Sequence, residues 1–173
     1  MQIELKNTKN KFENRSTSKD VIDPTQRAWI EVSGRAIENN IKQIKTLLRK
    51  DCKFMAVVKA DGYGHDATFV SKYAIRGGAD QLGVATLCEG ISLRKAGINK
   101  PILVLGNIYS KKDLLTCFQY DLMPTISSLR ECLICNNIGK KYHMEFPLHL
   151  KVDTGMSRLG FELQDFIDQF SKI

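Results

Sequence analysis

The chain has 173 residues, 43% of them apolar and 26% charged, which is the balance of an ordinary folded domain and excludes wholesale disorder. Its formal net charge of +7 comes from basic residues scattered beside acidic ones, as in Lys111-Lys112-Asp113 and Arg130-Glu131, so it argues against a nucleic-acid footprint while suiting small anionic ligands. No apolar run approaches the roughly 18 residues of a membrane span, no secretory signal opens the chain, and five dispersed cysteines fit reduced thiols, so a cytoplasmic protein without membrane contact is expected.

Residues 1–26 are rich in Lys, Asn, Ser and Thr and cannot bury enough surface to offset ordering entropy; they read as a flexible leader. The folded part is expected over 27–173. Arg27 to Val32 reads as a short strand. Ser33 then offers a helix N-cap, and Ile37, Ile41, Ile44 and Leu48 recur at helical spacing up to Lys50-Asp51.

Beyond that point one pattern repeats: an apolar run of strand length, a loop, and an amphipathic helix. The strands are Phe54 to Lys59, Gln81 to Ala85, Pro101 to Leu105, Asp121 to Ile126 and Pro147 to Asp153. Helices fall at 67–76, 88–96, 111–119, 128–137 and 162–172. Strand starts about 20 to 27 residues apart are those of βα units, whose strands are covered on both faces and read as continuous apolar runs such as Met55-Ala56-Val57-Val58. The fold class is α/β with a parallel sheet. A doubly wound sheet and a (βα)8 TIM-type barrel both accommodate five units. A closed barrel takes about 250 residues, and the chain stops after the apolar face of Phe161, Leu163, Phe166, Ile167 and Phe170, so an incomplete barrel is the expectation.

Two segments carry chemistry. In Ala56-Val57-Val58-Lys59-Ala60-Asp61-Gly62-Tyr63-Gly64-His65-Asp66, a buried strand ends in lysine and enters a loop with two glycines. Active-site groups project from the C-terminal ends of barrel strands, where desolvation favours a neutral amine able to form a Schiff base. A lysine that merely extends to solvent beside a turn is the plain alternative. In Leu148 to Phe161 a second strand fills with polar groups at its end, bringing Lys151, Asp153 and Arg158 to the same mouth. Arg158 offers a planar donor fork for an anionic oxygen, although a loop-positioning ion network would use the same residues. Cys132 and Cys135 form a C-x-x-C without the second pair that a zinc site needs.

Val57-Val58-Lys59-Ala60-Asp61-Gly62-Tyr63-Gly64-His65 resembles the pyridoxal-phosphate lysine signature of the alanine racemases, and Lys151 to Gly160 (Lys-Val-Asp-Thr-Gly-Met-Ser-Arg-Leu-Gly) is similar to their second signature, in the same order. The resemblance covers roughly 27–173. It implies a fold type III enzyme, an isomerase using pyridoxal 5'-phosphate to interconvert L- and D-alanine for peptidoglycan. Lys59 would form the internal aldimine and act as one of two bases; Tyr63 would bond the cofactor phosphate. Arg158 would lie near the phenolic oxygen, and Lys151 matches a lysine often carbamylated and then paired with that arginine. Leu105 matches an apolar contact to the cofactor ring, and Arg158 and Met156 would meet the substrate. Asp66 departs from the family pattern, which usually has glycine there.

The family's later barrel strands and C-terminal β domain, which supplies the opposite-face tyrosine base across a homodimer, have no counterpart in the sequence. A fragment inactive alone is therefore expected. A non-catalytic pyridoxal-phosphate-binding barrel and a non-functional truncated gene product are the alternatives.

Overall fold

Five βα repeats become five parallel strands. The structure, a computed structural model, describes Ala28 and residues 30–169; the expected leader lies outside these residues. In chain order the elements are α1 (Gly34–Thr46), β1 (Met55–Val57), α2 (Lys59–Gly64), α3 (Ala67–Gly77), β2 (Gln81–Val84) and α4 (Leu87–Lys95). They continue with β3 (Ile102–Asn107), α5 (Lys111–Gln119), β4 (Met123–Ile126), α6 (Leu129–Tyr142), β5 (His149–Leu150) and α7 (Leu163–Gln169). The sheet order is β1-β2-β3-β4-β5, so each strand lies beside its sequence neighbour and each crossover carries helix. This stepwise order is the winding of a (βα)8 barrel rather than of a doubly wound sheet, in which the order reverses. The sheet is an incomplete barrel wall.

Alternation along the strands separates two faces. Leu82, Val84, Ile102, Val104 and Ile126 point into the helical layer, where they join Leu93, Ile98, Leu114, Leu122 and Ile138 in one buried core. On the concave face Met55, Val57 and Leu105 surround Gly83. A smaller core of Ile41, Ala74 and Ala79 seats α1 against α3. Lys45 ties this corner down: its ammonium donates to Gly78 O at 2.6 Å and to Asp80 Oδ2 at 3.0 Å, and the same oxygen accepts the Phe54 amide at 2.7 Å. That amide bond, then Lys45, holds the Asp80 carboxyl below the usual carboxylate range.

The loops are closed by caps. Ser33, Thr86, Ser110 and Ser128 each accept an amide of the following turn, the reason Ser and Thr favour these positions. At the opposite ends of the strands Arg94 spans two units. Its guanidinium donates to the carbonyls of Ile98 (2.7 Å), Lys100 (2.7 Å), Tyr120 (3.1 Å) and Asp121 (2.6 Å). The side chain is only 11% exposed. Burial lowers its pKa, and nearby Asp121 opposes that shift.

Four expectations need correction, the first being the strand Phe54 to Lys59, which contracts to Met55–Val57 because Lys59 already begins the next turn. The described part of Arg27–Val32 is not strand, because a strand exists only where a neighbour accepts its ladder bonds and the sheet begins at β1. The fifth strand contracts from 147–153 to His149–Leu150, since its register pairs only Thr125↔His149 and Ile126↔Leu150; beyond it Val152 bridges Phe161 instead. The first helix stops at Thr46 rather than near Lys50-Asp51, with Leu47 as its C-cap.

Candidate functional site

Strand β1 ends at Val57, and Lys59 opens a turn of unusual hand. Ala60, Asp61, Gly62 and Tyr63 have φ of 51°, 53°, 62° and 56° and ψ of 50°, 47°, 36° and 40°, a single left-handed helical turn. Only glycine enters this region freely; each of the other three residues costs roughly 1–2 kcal/mol. At Gly62 a side chain would also be crowded, since a Cβ there would sit 3.0 Å from Val70 Cγ2 and 3.3 Å from the Ala67 backbone. The Gly62 amide bonds Val58 O at 2.9 Å and the His65 amide bonds Asp61 O at 3.0 Å, closing the turn.

Side chains from both flanks hold the turn in place. Asp61 Oδ1 accepts the Ala67 amide at 2.9 Å, which fixes the turn to the start of α3, and His65 Nδ1 lies 3.0 Å from Gly62 O. On the other flank Glu89 of α4 accepts the Ala60 amide on Oε1 at 2.8 Å. Its second oxygen accepts the amides of Ala85 (2.7 Å) and Thr86 (3.1 Å). Asp66, the departure noted in the sequence, has φ 66°, a backbone that glycine adopts without strain; its carboxylate offsets this by capping α3 through the Phe69 amide at 2.9 Å.

The second segment is also built by a carboxylate. Asp153 Oδ1 accepts the amides of Gly155 and Ser157, both at 3.0 Å, and these bonds, that of Ser157 first, hold its carboxyl below the usual range. The loop returns through Gly160 at φ 124°, where a Cβ would come within 2.5 Å of the Asp153 nitrogen, so only glycine closes it. Phe161 then donates to Lys151 O and accepts from the Asp153 amide, both at 2.8 Å. This ladder places Arg158 beside β5.

A cleft of about 470 Å³ crosses the concave face between the two segments, lined by Lys59, Leu103, Leu105, Thr125, His149, Leu150, Lys151, Val152, Arg158 and Leu159. Lys59, Leu105, Lys151 and Arg158 are thus brought together. Tyr63 (59% exposed) and Met156 (70% exposed) are not among the lining residues. Lys59, Lys151 and Arg158 form no salt bridge among the described residues, so the cleft carries cationic groups at one mouth against an apolar wall of Leu103 and Leu105. The set fits an aromatic aldehyde bearing anionic oxygens: an amine to bind the carbonyl, cations for the oxygens, and leucines for the ring.

His149 and Glu89 were missed in the sequence. His149 opens β5 and lines the cleft near Lys151, which lies just beyond the strand. Glu89 is the N3 residue of the capping box Thr86-x-x-Glu89, readable as a helix start, but its reach to Ala60 is set by the fold. Cys132 and Cys135 are buried on α6, and burial pushes both thiols up, Cys135 to about 12, which leaves them protonated and poor ligands.

The family described as "Alanine racemase, N-terminal domain" matches residues 32–173. A curated alanine racemase of Prochlorococcus marinus is 57% identical over 143 residues, covering 83% of the chain but only 37% of that relative. Among solved structures, alanine racemase from Bacillus anthracis with bound L-Ala-P superposes with a TM-score of 0.69 at 34% identity, over 80% of this chain and 36% of that one. Alanine racemase from Bartonella henselae with covalently bound pyridoxal phosphate gives 0.72 at 26% identity, over 81% and 39%. The chain therefore spans little more than a third of the length of these relatives, and within that span it belongs to the alanine racemase family.

Proposed function

We propose that the chain provides the cofactor-holding half of an alanine racemase site, interconverting L- and D-alanine in the cytosol when the complementary part of the enzyme is present. The observation that carries this reading is one cleft shared by Lys59, Lys151 and Arg158, with leucines behind them. When bound, pyridoxal phosphate supplies an electron sink for the negative charge that develops at the α-carbon.

Lys59 would hold the cofactor covalently through Nζ and would move the α-proton on one face of the substrate. Arg158 would donate toward the cofactor's phenolic oxygen, Leu105 would pack on its ring, and Tyr63 would donate to its phosphate from the exposed flank of the left-handed turn. Lys151, two residues beyond His149 in the same cleft, is the carbamylation site: its neutral amine adds CO2 and releases a proton, and the resulting anion attracts the Arg158 guanidinium instead of repelling it. Arg158, which lines the cleft, would also contact the substrate. A second base on the opposite face comes from another subunit of a homodimer. D-alanine for peptidoglycan is the product such an enzyme supplies.

Borohydride reduction of the chain with pyridoxal phosphate tests this reading. It should fix one cofactor mass on the peptide containing Lys59, and Lys59→Ala should abolish the label. Labelling spread over surface lysines, unchanged in the variant, would remove the site.

A further inference from the structure

We propose that Glu89 is a positioning residue for Lys59: its carboxylate locks the Lys59–Ala60 peptide to the β2–α4 loop and so sets the direction from which the lysine enters the cleft. The assignment rests on the reading of Lys59 as the cofactor anchor. The Ala60 amide is the first donor of the left-handed turn, and its partner is not backbone but Glu89 Oε1 at 2.8 Å. The other oxygen is committed to the Ala85 and Thr86 amides, at 2.7 and 3.1 Å, so the carboxylate joins two loops at the ends of neighbouring strands β1 and β2. A helix cap needs only the second of these oxygens. The first reaches 29 residues back along the chain to the residue after Lys59.

The geometry explains why a charged group stands there. Three amides converge on one side chain, and a carboxylate accepts from all of them, whereas a glutamine has one oxygen and would turn an amino group toward donors on the other side. Alanine at a left-handed φ returns to the right-handed or extended region when released. That rotation swings the Lys59 carbonyl and with it the base of the side chain. Asp61 and His65 hold the far end of the turn, at Ala67 and Gly62, and do not restrain the Lys59–Ala60 peptide directly.

Amide hydrogen exchange and pyridoxal-phosphate titration on the full chain test this, with Glu89→Gln, Glu89→Ala and, as a control, Thr86→Ala. Thr86→Ala removes the hydroxyl half of the α4 capping box, 3.3 Å from the Glu89 amide, without touching Ala60. In the unmodified chain the Ala60 amide should exchange as slowly as that of Ala85, although Ala60 is exposed. Both Glu89 variants should lose about tenfold or more in Ala60 protection. Their apparent Kd for pyridoxal phosphate, followed by the absorption band of the lysine-bound cofactor, should rise about tenfold. Thr86→Ala should leave both quantities within about twofold. Fast Ala60 exchange in the unmodified chain overturns the clamp whether or not the variants fold. Unchanged cofactor affinity in both Glu89 variants, or a loss in Thr86→Ala equal to theirs, reduces Glu89 to a helix cap. If the unmodified chain binds no cofactor through Lys59, the proposed function fails while the Ala60 exchange result still decides the clamp.

Discussion

Replacing Ala60 by glycine should stabilise the protein, the opposite of what this substitution does in an ordinary helix. Ala60 is exposed, with φ 51° and ψ 50°, so its methyl group contributes little packing while its backbone bears the left-handed penalty of roughly 1–2 kcal/mol. Glycine removes that penalty but adds about 0.5–1 kcal/mol of freedom to the unfolded chain. The net gain is about 0.5–1 kcal/mol. At roughly 2–4 °C per kcal/mol for a chain of this size, Tm should rise by about 1–4 °C. The comparison is Ala36→Gly, equally exposed but in the right-handed α1, where the change should cost about 0.5–1 kcal/mol. Urea unfolding followed by far-ultraviolet circular dichroism should move the two midpoints in opposite directions. A shift of the same sign and size in both variants would mean that Ala60 is not held left-handed, and the account of the Lys59 turn would fall with it.

Other expectations follow from the same structure. Arg94→Ala strands four carbonyl groups around a nearly buried side chain and should cost about 3–5 kcal/mol, lowering Tm by about 6–20 °C; Arg94→Lys should recover only part of it. Because the folded Asp80 carboxyl is held below its unfolded value of about 3.9, its contribution is complete above that pH and fades as pH falls through the folded value. Acid titrations of stability should therefore flatten in that window in Asp80→Asn. A thiol reagent at neutral pH should modify Cys52 and Cys88 in the folded chain, whereas Cys117, Cys132 and Cys135, buried with raised pKa, should react only after denaturant is added.

The repeating βα pattern was legible because the central strands β2, β3 and β4 are largely buried apolar runs and α1, α3, α4, α5 and α6 each open on a Ser, Thr or Asp cap. The cores of β2, β3 and β4 and all of α5 lie where periodicity puts them. Periodicity does not report hand. Ala60, Asp61 and Tyr63 carry no side-chain signal for a left-handed backbone, and only the flanking glycines hinted at a special turn. Arg27 to Val32 has the composition of a strand, yet pairing is a property of the neighbour, and the described sheet starts later. Within the candidate site, Lys59, Leu105, Lys151 and Arg158 were identifiable from strand ends and signatures. His149 and Glu89 were not, since their importance arises from what the fold places opposite them.

The sheet order β1-β2-β3-β4-β5 has a consequence for synthesis. Every ladder joins strands adjacent in sequence, so each βα unit finds its template in the unit made just before it. Such wiring lets the wall grow vectorially as the polypeptide leaves the ribosome, N-terminal unit first. Arg94 acts late in its own step, closing over carbonyls that emerge up to 27 residues after it.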